Sequence, residues 1–191
     1  CARSILKLAD ENTEDHIHWV VFSERGQRKN EARQSAEELL IPFHSSDIEI
    51  FDFKDGYFPQ FAGEIKNHFE ILKTQLSPDM VFTHHRDDLH QDHRIVGDLT
   101  WNTFRDHFIL EYEIPKYDGG LGSPNCFINL PQSIVSNKCE HLNKHFATQR
   151  DQHWITDDLF SGLMRLRGVE CRSPSGFAEG FYCRKATLSW S

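Results

Sequence analysis

The apolar positions along the 191-residue chain change period repeatedly, and each change marks an element. Ile17–Phe22 (IHWVVF) is a β-rich run between polar neighbours, and Ile48–Phe53 (IEIFDF) alternates with the two-residue period of a strand. Between them Ala32, Ala36, Leu39 and Leu40 fall at helical spacing within 28–41. Asp55-Gly56 marks a turn. Phe61, Ile65, Phe69 and Leu72 then step by four, four and three, an amphipathic helix that Ser77-Pro78 ends. Met80–Thr83 (MVFT) is a short, continuous apolar run of the kind expected for a strand buried on both faces. A polar loop, 84–92, leads to a helix over about 93–107 built on Ile95, Leu99 and Phe104. Phe108–Tyr112 and Cys126–Leu130 read as strands separated by a Gly/Pro-containing loop, 115–125. Pro131 suits the first turn of a helix carrying Ile134, Leu142 and Phe146. Thr156, followed by Asp157 and Asp158, caps a helix with Leu159, Phe160, Leu163 and Leu166 on its apolar face, and Gly168 suits its C-terminal cap. Phe177–Arg184 is the last strand, and residues 2–10 read as a short, ambiguous helix remnant.

Strand and helix therefore alternate, which predicts an α/β fold, Rossmann-like, with a mostly parallel sheet and helices on both faces. No repeat, low-complexity tract or linker divides the chain, so residues 1–191 read as one domain. In such sheets ligands bind beyond the carboxyl ends of the strands, which directs attention to the loop after Met80–Thr83.

Composition narrows the function. With 38% hydrophobic residues the chain can bury a core, which excludes an intrinsically disordered protein. The formal charge, 21 − 29 = −8, argues against a general nucleic-acid binder, which needs concentrated positive charge to displace counterions. No apolar stretch approaches the ~20 residues that span a bilayer. The five cysteines are scattered and include no C-x-x-C pair, which reads as reduced thiols in a cytoplasmic setting.

Histidine is the other signal. In His84-His85-Arg86-Asp87-Asp88-Leu89-His90-Gln91-Asp92-His93-Arg94, every residue but Leu89 and Gln91 is His, Asp or Arg. Neutral imidazoles and carboxylates are the donors of catalytic zinc sites, which leave a position open for water. His90 and His93, three apart at the start of a helix, can share a face, and Asp92 is placed to orient an imidazole through its second nitrogen. A second histidine suits the oxyanion donor and leaving-group acid that metal-assisted hydrolysis needs. A solvated loop in which Asp caps the next helix and Arg pairs with Asp accounts for the same residues; their density and position after a buried strand favour a site. His84 and His85 read as supporting groups. His16, His18, His44, His68, His107, His141, His145 and His153 lack local partners and receive no role. The loop holding Tyr117, Asp118 and Gly119-Gly120 could border a pocket or be a turn-rich connection.

HRDDLHQDHR (85–94) resembles the His-x-Asp-His motif of the PIG-L (LmbE-like) family, metal-dependent enzymes that remove acetyl groups from N-acetylglucosamine-type sugars and related amides. The 28–36 helix, EIPKYDGGLGSPN (113–125) and RLRGVE…FAEGFYCRK (165–185) extend the resemblance over nearly the whole chain. The resemblance implies that His93 is a metal ligand and that His90 stabilises the tetrahedral intermediate or protonates the departing amine. It implies that Asp92 orients a histidine and that Arg86 and Asp88 contact the substrate or support the site. It also implies a zinc cofactor, with iron or another divalent ion as an alternative, and an N-acetylated sugar or glycoconjugate as substrate.

One departure stands out. The family's first motif, Ala-His-Pro-Asp-Asp, supplies two further ligands and the general base, and no His-Pro-Asp-Asp occurs here. The expectation is a chain lacking the strand and loop that carry it, with Cys1 just after that motif. It is then inactive and poorly folded by itself, because loss of a central strand exposes two strand edges. Two functions follow: a zinc-dependent N-deacetylase represented without its first motif, or a non-catalytic relative that binds carbohydrate or another subunit. A different metal hydrolase, completed by another carboxylate of this chain, is a third reading. A homo-oligomer is compatible with each.

Overall fold

The computed structural model describes residues 15–23, 26–116, 118–149 and 156–187. The remnant expected at 2–10, Tyr117 and His153 lie outside them. In chain order the elements are β1 (His16–Val21), α1 (Gln27–Leu40), β2 (Ser45–Ile50), α2 (Phe58–Gln75), β3 (Met80–His84), α3 (Gln91–Thr103) and β4 (Phe108–Tyr112). There follow β5 (Cys126–Asn129), α4 (Gln132–His145), a 3-10 turn (Ala147–Gln149), α5 (Asp157–Glu170) and β6 (Ala178–Tyr182). The expected alternation is present, and the fold is mixed α/β with strands mainly in parallel pairs.

The chain forms two compact units, Cys1–Asp55 with Ile128–Glu179, and Gly56–Phe127 with Gly180–Ser191. In the first, β1 and β2 pair in parallel from His16↔Ser45 to Val21↔Ile50. The alternation at 48–53 placed β2 three residues late, because pairing with β1 begins at the exposed Ser45. The aromatic end of that run continues as single contacts: the Phe51 amide donates to Val21 O at 2.8 Å, and Phe51 stacks on Phe22 at 5.5 Å. Helix α1 buries Ala32, Ala36, Leu39 and Leu40, the positions its spacing selects. Helix α4 packs against both α1 and α5. Leu130, Val135 and Met164 form a buried cluster there, covered by Ile128, Ile134, Phe160 and Phe177.

Thr156 caps α5 as expected, accepting from the Leu159 amide at 3.3 Å. Gly168 does not end that helix, which runs on to Glu170. Its missing side chain is needed for packing instead, since a Cβ there would lie 2.1 Å from Gly176 O.

In the second unit β3 and β4 pair in parallel from Met80↔Phe108 to His84↔Tyr112, and β4 pairs antiparallel with β6 through Glu111↔Tyr182 and Tyr112↔Phe181. The strand order is β3-β4-β6-β5. The described strands lie in two sheets, β1-β2 and β3-β4-β6-β5, as expected of a sheet whose first central strand is not among them. Among the described residues, β1 and β3 each stand at a sheet edge. Helix α2 buries Ile65, Phe69 and Leu72 and packs on α3. Helix α3 spans Gln91–Thr103, two residues earlier than its apolar positions indicated, so Asp92 and His93 fall in its first turn. It lies close to β3: a Cβ on Gly97 would sit 2.8 Å from His84 O, and Thr100 and Thr83 meet through their hydroxyls at 2.9 Å.

Candidate active site

The histidine loop leaves the carboxyl end of β3 and turns into α3, as the general rule for parallel sheets anticipates. His84 closes the strand, and His90 is the residue preceding the first turn of α3, contributing no side-chain cap. The loop is held from within. Asp88 N–H donates to His85 O at 3.1 Å, and the Arg94 guanidinium donates to Asp88 O at 2.9 Å and Leu89 O at 2.6 Å.

Asp88 is the centre of this arrangement, at 4% exposure. Its carboxylate accepts from His90 N–H at 2.7 Å, stands 3.0 Å from Nδ1 of His93, and accepts from Lys116 Nζ at 2.6 Å. Burial opposes ionisation of this carboxyl, but the His93, Lys116 and His90 hydrogen bonds outweigh it and hold its pKa well below the ordinary range. An ionised Asp88 takes the proton on Nδ1 of His93 as its hydrogen bond, which leaves Nε2 of that ring as the lone-pair nitrogen.

Three imidazoles gather here. His84 stacks on His93 with centroids 4.2 Å apart and planes 4° from parallel, and His90 lies 4.6 Å from His93. Burial keeps His84 neutral by pushing its pKa well down, and the neighbouring His93 acts in the same direction. Tyr112 OH lies 3.4 Å from Nε2 of His84, and burial raises that phenol's pKa out of reach. Nδ1 of His84 and Nδ1 of His90 are buried with no hydrogen-bond partner among the described residues.

The residues singled out from the sequence fare differently. His90 and His93 come together. Asp92, expected to orient a histidine, does not stand on one: its two oxygens accept from Gly56 N–H at 2.6 Å and Phe58 N–H at 3.0 Å, at the start of α2. The carboxylate on His93 is Asp88, which is buried and engaged with the ring, the supporting one of its two expected roles. Arg86, expected like Asp88 to contact the substrate or support the site, directs its Nε to Asp98 at 2.7 Å. His85 is a supporting group, as expected: it meets Glu111 at 2.7 Å and stacks on Tyr182 at 3.7 Å.

Sequence reading missed Lys116 and Glu111. Fully buried Glu111 accepts from Trp101 Nε1 at 2.7 Å, Arg184 Nε at 2.5 Å and Arg86 N–H at 3.0 Å. Nothing in the periodicity of FILEY marks its glutamate as a hub. Lys116 belongs to the PKYDGG loop, but only the folded chain brings it to Asp88.

A catalytic zinc site takes three protein ligands. The residues around His93 fit one part of such a site, an oriented imidazole beside a second one. Among the described residues, the groups of three donors close enough to share an ion are His16/His18/Asp47 and Glu38/His141/His145, and neither includes His90 or His93.

This mixed α/β fold is similar to that of the LmbE-like deacetylases. Residues 1–104 match the PIG-L family, described as GlcNAc-PI de-N-acetylase, and the chain belongs to that family. A search of curated proteins gave no match. Among solved structures, the conserved protein TT1542 from Thermus thermophilus superposes with a TM-score of 0.71 at 16% identity, covering 100% of this chain and 91% of that one. The A40926 pseudoaglycone deacetylase Dbv21 gives 0.69 at 14% identity, covering 98% of this chain and 92% of its own. The zinc-inhibited form of teicoplanin deacetylase Orf2 gives 0.68 at 12%, with 95% and 91% covered. At these identities the likeness is one of fold.

Proposed function

We propose that residues 1–191 form one deacetylase domain carrying the histidine part of a metal-dependent N-deacetylase centre, with an N-acetylglucosamine-type sugar or glycoconjugate as substrate. The observation that carries this reading is the Asp88–His93 pair, 3.0 Å apart, with His90 beside it at the start of α3. The family's description as a GlcNAc-PI de-N-acetylase supports the sugar, and proteins of the same fold described as an A40926 pseudoaglycone deacetylase and as a deacetylase in complex with teicoplanin support deacetylation.

Asp88 fixes the tautomer of His93, so that Nε2 is the ligand nitrogen. When bound, a divalent ion, zinc or iron, polarises an amide carbonyl and acidifies water. His90 has its Nδ1 buried without a partner among the described residues, and its place at the positive end of α3 favours negative charge nearby. It donates a hydrogen bond to the developing oxyanion and passes a proton to the departing amine. Asp92 acts on the site indirectly, by holding the start of α2 against the first turn of α3. Arg86, paired with Asp98 on a partly exposed edge, can exchange that partner for a polar substrate group.

The remaining ligands and the general base come, in this reading, from a strand and loop carrying His-Pro-Asp-Asp, a motif these residues do not contain. In this reading the setting is cytoplasmic, which the free thiols of Cys126, Cys139, Cys171 and Cys183 support.

The test joins the chain to such a segment and measures amine release from an N-acetylglucosamine conjugate. Release is expected from the joined protein, none from residues 1–191 alone, and none after His93→Ala. Turnover that survives His93→Ala defeats the assignment of that residue. The lack of a three-donor group at His93 among the described residues favours a second reading, a domain that binds carbohydrate without cleaving it. Saturable binding of N-acetylglucosamine with no release by the joined protein supports that alternative.

A further inference from the structure

A different set of metal-ligating side chains meets where α4 packs on α1. Glu38 stands in the last turn of α1, and His141 and His145, four apart on α4, share one helical face. His145 Nε2 lies 2.8 Å from one oxygen of Glu38 and His141 Nδ1 lies 3.6 Å from the other. The two rings are 4.5 Å apart, and one donor atom from each of the three residues lies within 4.8 Å of the others. A tetrahedral ion with bonds of about 2.0–2.2 Å separates its ligands by roughly 3.3–3.5 Å. The observed spacings bracket that value, so small side-chain rotations suffice to bind it.

The surroundings suit an ion. Both imidazoles are buried, at 5% and 8% side-chain exposure, whereas Glu38 at 39% leaves an entry path and room for water in an open position. Ser35 Oγ meets Nε2 of His141 at 2.9 Å, the kind of outer contact that orients a ligating ring and leaves its other nitrogen, here the one towards Glu38, to face the ion. Glu38 also pairs with Lys144. Lys144 is the competitor for Glu38, but its side chain is 63% exposed and can withdraw into water.

We propose that Glu38, His141 and His145 form a site for a divalent transition ion of the zinc class, distinct from the His90/His93 loop, that ties α4 to α1. Binding to the folded chain alone stabilises it by mass action.

The test uses the whole chain, stripped with a chelator and titrated with Zn2+ against a chromophoric indicator, with Co2+ as a spectroscopic probe. One ion per chain is expected, bound equally by His93→Ala. Glu38→Gln and His145→Gln should abolish binding and the cobalt absorption bands, and Ser35→Ala should weaken binding about 10–100-fold. Failure of the chain to bind either ion overturns the site, as does an ion lost with His93→Ala but kept by Glu38→Gln. If His145→Gln does not fold, half-exposed Glu38 decides. Its Gln variant, with native circular dichroism, should lose the Zn2+-dependent rise in melting temperature, and an undiminished rise counts against the proposal. Because His93 and Glu38 are substituted separately, loss of the deacetylase reading and loss of this site are distinguishable.

Discussion

Asp88 shows how much one buried carboxylate decides. Its partners His93, Lys116 and the His90 amide all require it charged, and Lys116 is itself only 9% exposed. Asp88→Asn leaves that ammonium buried without an anion, which should cost about 3–5 kcal/mol by urea unfolding at neutral pH. The pH dependence follows from the depressed native pKa. The folded state binds the proton more weakly than the unfolded state, so the stabilisation is complete above the ordinary carboxylate pKa of 3.8 and is lost as the pH falls below it. The gap between wild type and Asp88→Asn should therefore narrow on acidification below about pH 4. A gap that is flat with pH, or widens in acid, contradicts the pairing. At this scale the sequence marks the loop but not the roles within it. Asp87, Asp88 and Asp92 are equivalent as letters, and only the turn of the chain turns Asp88 inward to His93 and Asp92 towards Gly56 and Phe58.

Helices were legible where one face is apolar along its whole length. The four-four-three spacing of Phe61 to Leu72 lies within α2, and the small and aliphatic residues of α1 are buried as a set. Ends were less legible, because they depend on partners far along the chain. The start of α2 is satisfied by Asp92, 34 residues beyond Phe58, and the close approach of α3 to β3 requires the absent side chain of Gly97. Asp92→Ala should leave the Gly56 and Phe58 amides without their acceptor, at a cost of about 1–3 kcal/mol in urea unfolding. Read as a positioning residue, Asp92 should lower turnover of the joined deacetylase less than His93→Ala does. A loss equal to that of His93→Ala would return Asp92 to direct contact with the reaction.

Across the whole molecule, the alternation of strand and helix predicts the class of fold, and the parallel pairs β1–β2 and β3–β4 agree with it. It does not predict the grouping of strands into two sheets, since pairing is a matter of which edges meet rather than of local period. Unpaired edges carry free amide and carbonyl groups that invite association. If an added strand carrying His-Pro-Asp-Asp covers one of these open edges, the joined protein should melt at a higher temperature than residues 1–191 and show less aggregation by light scattering. Equal melting temperatures would separate the metal-ligand deficit from any structural one.

The amino-acid order by itself determined the element types, the position of the histidine loop after a buried strand, and the family. Each rests on neighbours within a few residues: side-chain period, turn residues, and a contiguous motif. The tertiary structure decided which carboxylate holds His93, why Glu111 and Lys116 matter, and that Glu38 meets His141 and His145 across more than a hundred residues of chain. Those contacts depend on the packing of one helix on another and on the burial of charge, and neither leaves a local pattern to read.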